Sequence, residues 1–399
     1  MKKIIAVFAC LLLSLATLGQ NPASALDPNS VATVFSKLTA SKELANPSVV
    51  VIDEQSGEIV FEKNAHSLRK PASLQKLFTA VAAVENFPMD KQFETSVWVG
   101  QAAKSIVIQG SSDPWISYRS TEAKKMKRTS MPKIATSTIK ALKESNKGSV
   151  RNSTIYYTGL YSRDLANLKV FLRKGGVIAT MKHVTKQEAI DKSESLVLAS
   201  RSPKLEEILA FTLVWSDNVL AERIARLASR AAGNTYDDAG VAATFTTILS
   251  NLDIDSSSLV VEDASGLSKE NRVTAQQVAQ LLVKIHKDNR YDPIINGLPV
   301  GGISGTLRHR FLKTAPNAIG LVKAKSGSLN GTANLAGYVE SGDREYAFVI
   351  IADKLNRGNS AGNRARAMMD KILGKVASPL LPVLAPDVEI GIISSDTPL

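Results

Sequence analysis

Pro71-Ala72-Ser73-Leu74-Gln75-Lys76-Leu77 places a serine at the head of an apolar run, with a lysine three residues later. Residues three apart share one face of a helix, so the hydroxyl and the amine can meet. A serine becomes a useful nucleophile when an adjacent base takes its proton. A lysine can be that base once desolvation or a second cation depresses its pKa. The stretch therefore predicts a nucleophile at Ser73 and a base at Lys76, at the start of a deeply buried helix.

The same spacing also occurs at Ser130-Met131-Pro132-Lys133 and Ser137-Thr138-Ile139-Lys140, where a solvated helix face or a helix cap is the ordinary explanation. The interpretation of Ser73 therefore depends on partners further along the chain. Two follow in order, Ser216-Asp217-Asn218 and Lys325-Ser326-Gly327. This ordered trio is found in penicillin-binding proteins and class A β-lactamases.

The polar side chains of the trio can divide the steps of acyl transfer between them. Ser73 attacks a carbonyl carbon, and Lys76 accepts its proton. Ser216 passes a proton to the leaving amine, and Asn218 positions the lysine and the substrate amide. Lys325 supplies a second cation, which depresses the pKa of Lys76 and attracts a substrate carboxylate. The alternatives are a helix cap for Asn218 and a solvated strand end for Lys325.

The residues after Lys325 are predicted to bind the substrate. Ser326 can hydrogen-bond the substrate carboxylate, and Gly327 keeps the strand edge open for close approach. The backbone N–H groups of Ser73 and Ser328 would hold the oxyanion of the tetrahedral intermediate.

The start of the 399-residue chain has the pattern of a signal peptide over residues 1–25. Lys2 and Lys3 precede an apolar run, and Ala23-Ser24-Ala25 is a small-residue cleavage site. An N-terminal membrane anchor is the alternative. Cys10 is the only cysteine and lies in this leader, so we expect a mature chain without disulfides or thiolate catalysis. We predict export to the periplasm or another extracytoplasmic cell-wall space.

The formal net charge is +12, and removal of Lys2 and Lys3 leaves +10. A basic exported protein is attracted to anionic polymers of the cell envelope, although the charge can also serve solubility alone. The cations look scattered and no recognition motif is present, which argues against nucleic acid. No metal site or cofactor is expected, because the histidines lack ligand spacing. They are His66, His183, His286 and His309.

The order of predicted elements indicates an α+β fold. An antiparallel sheet is predicted from both ends of the chain, with a hairpin at 49–61 and strands at 319–325, 334–340 and 346–352. Helices are predicted at 30–45, 73–84, 204–232 (interrupted near Ser216), 235–252, 274–287 and 360–376. The pattern of predicted elements changes over residues 96–194, where short strands, one of them at 168–172, accompany a basic helical stretch at 121–147. We predict a discontinuous catalytic domain, 26–95 and 195–399, with an inserted smaller domain at 96–194.

The chain resembles the type 4 penicillin-binding proteins, the serine D-Ala-D-Ala carboxypeptidases of peptidase family S13. Besides the trio, the resemblance rests on Gly110-x-x-Asp113-Pro114, Ala221-Glu222, Asp263-x-Ser265-Gly266-Leu267-Ser268, Gly305-Thr306-Leu307-x-x-Arg310-Phe311 and Leu335-Ala336-Gly337-Tyr338-Val339. It implies a penicillin-recognising transpeptidase fold, with helices flanking the antiparallel sheet. It also implies acyl-enzyme cleavage of the terminal D-Ala of peptidoglycan stem peptides, often with endopeptidase action on crosslinks, and covalent inhibition by β-lactam antibiotics.

The resemblance further implies a pocket for the free end of a diamino-acid side chain. By motif, Asp113 would meet its ammonium, Arg310 its carboxylate, and Tyr118 would line the pocket. Alternatively, Asp113 caps the turn before Pro114 and Arg310 forms a surface ion pair. Ser111-Ser112 stand where the family usually has glycines, which weakens the case for this pocket more than for the catalytic centre.

Two other functions fit the same fold. A class A β-lactamase needs a loop glutamate that holds the deacylating water, and no Glu-x-x-Leu-Asn-like segment lies between Asn218 and Lys325. A non-catalytic cell-wall binding protein would not need every catalytic-type side chain, and all are present here. A penicillin-sensitive carboxypeptidase is therefore the favoured prediction.

Overall fold

The computed structural model describes residues 26–379, so the signal-peptide prediction for residues 1–25 lies outside the described residues. The strands in this range are β1 Ser48–Asp53, β2 Ile59–Lys63, β3 Glu94–Gly100, β4 Ser105–Gly110, β5 Thr154–Thr158, β6 Thr180–His183, β7 Ser193–Arg201, β8 Val322–Leu329, β9 Thr332–Ser341 and β10 Arg344–Ala352. The helices are α1 Pro28–Thr39, α2 Gln75–Asn86, α3 Ser120–Lys125, α4 Met131–Ser145, α5 Ser162–Lys174, α6 Lys186–Asp191, α7 Leu205–Trp215, α8 Asn218–Ala231, α9 Asp238–Asn251, α10 Ala275–His286, α11 Asp292–Asn296 and α12 Asn359–Val376. No helix between residues 26 and 379 has both the length and the apolar character needed to cross a bilayer.

The first sheet has the order β2-β1-β10-β9-β8, and every neighbouring pair is antiparallel. Helices cover both faces, so β1 is buried at every position. Val50 and Ile52 point into a core shared with the helices that follow Ser73, whereas Val49 and Val51 point into a second core with α1 and α12. This alternation is the period-2 pattern of a strand covered on both faces. The predicted α+β fold, an antiparallel sheet flanked by helices, is confirmed.

The second sheet has the order β6-β5-β4-β3-β7 and is built only from residues 94–201. Its strands β4, β5 and β6 are parallel neighbours, while β3 pairs antiparallel with β4 and β7. Crossover helices α4 and α5 bury their apolar stripes against this sheet in a separate core. We name the part of the chain from 94 to 201 the insert.

One prediction inside the insert was wrong. Residues 168–172 were predicted as a strand but lie in α5. Leu168 and Leu172, four apart, are buried, while Val170 between them is exposed, so the period is that of a helix. The basic helical stretch predicted over 121–147 consists of two helices, because α3 ends at Lys125 and α4 begins after the N-cap residue Ser130, with Pro132 in its first turn.

Between the insert and the last three strands lies a helical lobe, α7 to α11, packed on α2. The edge strand β8 runs beside the chain segment that precedes α2. This edge, the start of α2 and the junction between α7 and α8 therefore face one another, which sets the position of the cleft described next.

Candidate active site

Ser73 lies in a short 3₁₀ turn, Ala72–Leu74, that leads directly into α2. Ala72 has a left-handed backbone conformation, with φ of 47°, although it carries a side chain. Such a conformation is strained and persists only where the surroundings enforce it. Lys76 follows in the first turn of α2 and is completely buried, with its Nζ 3.0 Å from Ser73 Oγ. The structure thus brings the two residues of the first motif together.

Lys76 is held by two further acceptors. Its Nζ donates to Asn218 Oδ1 and to the backbone carbonyl oxygen of Ser265, both at 2.7 Å. These bonds, together with the contact to Ser73, fix the amine against the hydroxyl. The sequence predicted the contact to Asn218 but not the one to Ser265.

The Ser216-Asp217-Asn218 motif forms the junction between α7 and α8. Ser216 ends α7 in a left-handed conformation, with φ of 58°. Asp217 caps α8, because its Oδ1 accepts the N–H of Leu220 at 2.9 Å. Asn218 is therefore not the helix cap, and its side chain is free to bind Lys76.

Lys325 is completely buried within β8, which continues to Leu329, so it is not a solvated strand end. Its Nζ donates to Ser216 Oγ at 2.9 Å and to the carbonyl oxygen of Ser326 at 3.1 Å. The five residues, which are spread over more than 250 positions of the sequence, thus form two hydrogen-bonded groups, one of Ser73, Lys76 and Asn218 and one of Ser216 and Lys325. The 216–218 turn brings the two groups together.

Burial is the main influence on both amines. Desolvation lowers the pKa of Lys76 to about 8, against the opposing effect of Asp263, Glu222 and Asp217. Desolvation, and secondarily the charge of Lys76, lowers the pKa of Lys325 well below its usual range. We predicted that Lys325 would depress the pKa of Lys76, but the leading cause there is burial. With this pKa, about a tenth of Lys76 is a neutral amine at pH 7, far more than for an ordinary lysine, and the neutral form is the one that a general base requires.

The other two residues of the Lys325-Ser326-Gly327 motif lie along the cleft edge of β8. Ser326 Oγ donates to Thr306 Oγ1 at 2.8 Å. A Cβ on Gly327 would lie 2.8 Å from the carbonyl oxygen of Pro71, so only glycine lets β8 approach the turn of the nucleophile. Ser328 is exposed, and its Oγ accepts from Arg366 at 3.1 Å.

Sequence reasoning missed Asn334, which faces Gly327 across the β8–β9 ladder. Its side-chain amide donates to the carbonyl oxygens of Lys70 and Pro71, each at 2.9 Å. Its Oδ1 accepts from the N–H of Ala352 at 3.2 Å. Asn334 therefore ties the strand leading to the nucleophile into the sheet. No spacing rule pointed to it, because its partners are backbone atoms more than 260 positions away.

The loop at 263–268 was recognised as a family signature without a role. Asp263 Oδ1 accepts the N–H groups of Ser265 and Gly266, at 3.1 and 2.6 Å. Glu222 Oε1 accepts the N–H groups of Ala264 and Ser265, at 3.1 and 2.9 Å. The two carboxylates thereby fix the loop so that the Ser265 carbonyl faces Lys76.

A cavity of about 240 Å³ adjoins the Ser216-Asp217-Asn218 turn. Its lining, shared between the insert and the helical lobe, includes Trp115, Tyr118, Phe211, Asp217 and Arg223. Of the residues predicted for the diamino-acid pocket, the structure thus brings Tyr118 to this cavity. Its hydroxyl donates to Asp164 Oδ1 at 2.6 Å.

The two charged residues of the predicted pocket are engaged within the protein. Asp113 is buried, and its Oδ1 accepts the N–H of Trp115 at 2.8 Å, so it caps the turn at Pro114. Burial raises the pKa of Asp113 to about 6. Arg310 pairs with Asp370 of α12, with Nε to Oδ1 at 2.8 Å, and does not line the cavity. The contact of Asp113 matches the alternative given for it. Arg310 does form an ion pair, but the pair is largely buried rather than at the surface.

The sequence matches the D-Ala-D-Ala carboxypeptidase 3 (S13) family over residues 31–145 and 149–376. The carboxypeptidase DacB of Mycolicibacterium smegmatis is 27% identical over 420 residues, which cover 90% of this chain and 89% of the relative. The D-alanyl-D-alanine carboxypeptidase of Actinomadura sp. is 36% identical over 194 residues, which cover 47% of this chain and 35% of the relative.

Among solved structures, penicillin-binding protein 4 of Haemophilus influenzae, in complex with a β-lactam, superposes with a TM-score of 0.67 at 18% identity. That superposition covers 85% of this chain and 99% of the other. A predatory peptidoglycan endopeptidase of Bdellovibrio bacteriovorus gives a TM-score of 0.59 at 16% identity, covering 83% of this chain and 93% of the other.

The fold is that of the penicillin-binding and β-lactamase-like serine enzymes. Within that class, the chain belongs to the S13 family of D-Ala-D-Ala carboxypeptidases, and it is a serine-type peptidase. A family of cell-wall peptidases is consistent with action outside the cytoplasm.

Proposed function

We propose that this carboxypeptidase removes the terminal D-Ala from peptidoglycan stem peptides through an acyl-enzyme on Ser73. The observation that carries the proposal is the contact between the buried Lys76 amine and Ser73 Oγ. The amine in its neutral form takes the hydroxyl proton as Oγ attacks the peptide carbonyl carbon. The peptide C–N bond then breaks, and the leaving D-Ala amine needs a proton in return.

Ser216 is the proposed route for that proton. Its Oγ, held by the Lys325 amine, would pass to the leaving amine the proton that Lys76 took from Ser73, which returns Lys76 to its neutral form. Lys325 would also attract the substrate carboxylate. The hydroxyls of Ser326 and Thr306, which are hydrogen-bonded to each other, would lie beside that carboxylate. The backbone N–H groups of Ser73 and Ser328 supply the proposed oxyanion site. A water molecule then attacks the ester carbonyl, the neutral Lys76 amine takes its proton, and that proton returns to Ser73 Oγ as the ester bond breaks.

We propose that β-lactams acylate the same serine. The H. influenzae relative is known in complex with a β-lactam, and the strained lactam offers Ser73 a carbonyl in place of the peptide bond. Two carboxylates near Lys76, those of Asp263 and Glu222, accept hydrogen bonds from backbone N–H groups of one loop, Glu222 through its Oε1. We therefore expect a long-lived penicilloyl ester rather than β-lactamase turnover.

Endopeptidase action is a second proposed activity. The cavity beside Asp217 is lined by aromatic rings, by the guanidinium of Arg163 and by the carboxylate of Asp217, and so offers both charges to a zwitterionic side chain. The guanidinium of Arg223, also in the lining, is paired with Asp164. Tyr118, on its wall, is the predicted pocket residue that fits this role. Asp113 and Arg310 would have to leave the contacts they make here. The B. bacteriovorus neighbours are described as endopeptidases.

Mass spectrometry of defined muropeptides, before and after incubation, tests both activities. Loss of one D-Ala from a pentapeptide monomer reports carboxypeptidase action, and conversion of a crosslinked dimer to monomers reports endopeptidase action. Ser73→Ala should abolish both, and an active Ser73→Ala protein would exclude the proposed acyl-enzyme. Nitrocefin provides the contrast with a β-lactamase, since rapid multiple turnover contradicts the expected stable ester.

A further inference from the structure

Positive charge is concentrated in one part of the chain. The insert holds 19 Lys and Arg residues against eight Asp and Glu, a net charge of +11, while the whole sequence carries +12. The expectation that cations are scattered was therefore wrong. The catalytic half is close to electrically neutral, so electrostatic attraction to an anionic partner must act mainly on the insert.

Within the insert, one stretch combines cations with exposed apolar side chains. Residues 165–187, from the body of α5 through β6, contain five Lys and Arg and no Asp or Glu. Ile178, just after the Gly175-Gly176 turn, is 80% exposed, and Val170 on α5 is 45% exposed. We name Lys169, Val170, Arg173, Lys174 and Ile178 the α5 patch.

The members of the α5 patch lie together. Lys169 and Arg173, one helical turn apart, line the same shallow cavity as Ile178 and Met181, about 220 Å³ in volume. Val170 and Lys174 occupy the adjoining face of the helix, also four apart. In the described part of the chain, none of the three cations forms an ion pair with an acidic side chain. Their charge is therefore not neutralised internally.

We propose that the α5 patch docks the enzyme on an anionic lipid membrane surface. Basic residues attract anionic headgroups, while an exposed isoleucine gains free energy by entering the boundary of the acyl chains. A soluble polyanion would use the cations but would gain nothing from Ile178, so the pairing of both features favours a bilayer. A lone exposed isoleucine would carry no such meaning.

The position of the patch permits docking during catalysis. It lies at the β6 edge of the second sheet, and β6 is three strands away from β3, where the chain connects to α2. At the usual strand spacing this separation is about 14 Å. The helix α5 begins at the cavity beside Asp217, where Arg163 is part of the lining, and the α5 patch occupies the other end of the helix. Lys174 lies about 16 Å along the helix axis from Arg163, so docking at that end is offset from the cleft.

Co-sedimentation of the mature chain with vesicles tests the proposal. We expect binding to vesicles of 30% phosphatidylglycerol in phosphatidylcholine, weak binding to pure phosphatidylcholine, and weakening by salt. Lys169→Glu/Arg173→Glu/Lys174→Glu should lower the partition coefficient about 100-fold or more, since each basic residue near such a surface contributes a factor of roughly five. Ile178→Ser, which changes no charge, should lower it about ten-fold.

The matched control is Lys124→Glu/Lys125→Glu/Lys133→Glu, three exposed cations elsewhere in the insert with the same change in net charge. We expect it to retain binding within a few-fold. An equal loss in both triple variants, no effect of Ile178→Ser, or no wild-type binding would each overturn the proposal. If soluble polyphosphate abolished vesicle binding and Ile178→Ser bound vesicles as well as the wild type, the patch would be assigned to a soluble anionic polymer instead. Labelling of Ser73 by fluorescent penicillin should be unchanged in all variants. It confirms that each variant is folded, and it tests the proposed catalytic function independently of membrane binding.

Discussion

Asn334 in β9 donates a hydrogen bond of 2.9 Å to the carbonyl oxygen of Pro71, two residues before the serine of the first motif. With the companion bond to Lys70, it holds a backbone that turns left-handed at Ala72. A buried side chain that satisfies two carbonyl oxygens and one N–H group supports the position of Ser73 without touching a substrate.

We therefore predict that Asn334→Leu lowers the rate constant of penicillin acylation by about ten-fold or more, because small displacements of a nucleophile have large kinetic effects. The variant should also lose stability by about 1–3 kcal/mol, since buried backbone groups lose their partners. Asn330→Ala, at the exposed end of the same hairpin, is the control and should acylate normally. A purely structural role would lower stability but leave the acylation rate of the folded fraction unchanged.

Substitution of Lys76 separates the base from the nucleophile. Lys76→Met fills a similar volume without an amine, so we expect acylation of Ser73 to slow by about 10²–10⁴-fold, the usual contribution of a general base. The chain provides its own control in Lys133→Met, which alters a motif of the same spacing that only caps α4. Stopped-flow or gel-based labelling with fluorescent penicillin measures both, and normal labelling in Lys76→Met would exclude the assigned base.

The pH dependence of acylation follows from the lowered pKa of Lys76, about 8. Only the neutral amine can accept the hydroxyl proton, and its fraction rises with pH until it saturates above that pKa. The acylation rate should therefore increase roughly ten-fold per pH unit below about pH 8 and level off above it. A rate that is flat from pH 6 to pH 9 would contradict this assignment.

A second pH effect concerns stability and lies away from the cleft. Glu54 is buried beside His286 and Glu345, and burial raises its pKa to about 7. Because the folded-state pKa lies above the ordinary value, the folded protein binds the extra proton, and stability falls as the pH rises from about 4.5 to 7. The pKa of His286 is also raised, chiefly by its hydrogen bond to Glu345, and that stabilising effect is likewise lost with increasing pH.

Glu54→Gln tests this reasoning, since the amide cannot ionise. Its melting temperature relative to wild type should rise between pH 5 and pH 8, because only the wild type acquires a poorly compensated buried carboxylate. Glu58→Gln, exposed in the same hairpin, should show no such trend. A constant difference for Glu54→Gln across the range would show that Glu54 is not the titrating group. Thermal denaturation followed by circular dichroism provides the measurement.

The sequence was most informative where catalysis requires particular side chains in short motifs that follow one another in a fixed order along the chain. Ser73, Lys76, Ser216, Asn218 and Lys325 could be predicted to converge because each motif is short and the trio is rare in combination. The hairpin and the last three strands could also be predicted, from β-branched alternation.

What could not be predicted depends on contacts that leave no local pattern. The Ser265 carbonyl next to Lys76 is a backbone atom, and Asn334 binds backbone atoms far away in sequence. Leu168 and Leu172 sit in a short apolar run whose helical period is visible only over the whole of α5. The ion pair between Arg310 and Asp370 depends on how α12 packs, and no sequence motif predicts that packing.

The sheet that carries Lys325 takes its strands from both ends of the chain. Residues 94–201 can complete their own sheet from neighbouring sequence, whereas the turn that carries Ser73 gains its contacts with Gly327 and Asn334 only when β8 and β9 have been made. During synthesis the cleft is therefore assembled last, and a chain that stops before residue 322 holds the serine without its second amine. Such a shortened chain lacks both Lys325 and Asn334, and so lacks two of the groups that position the cleft.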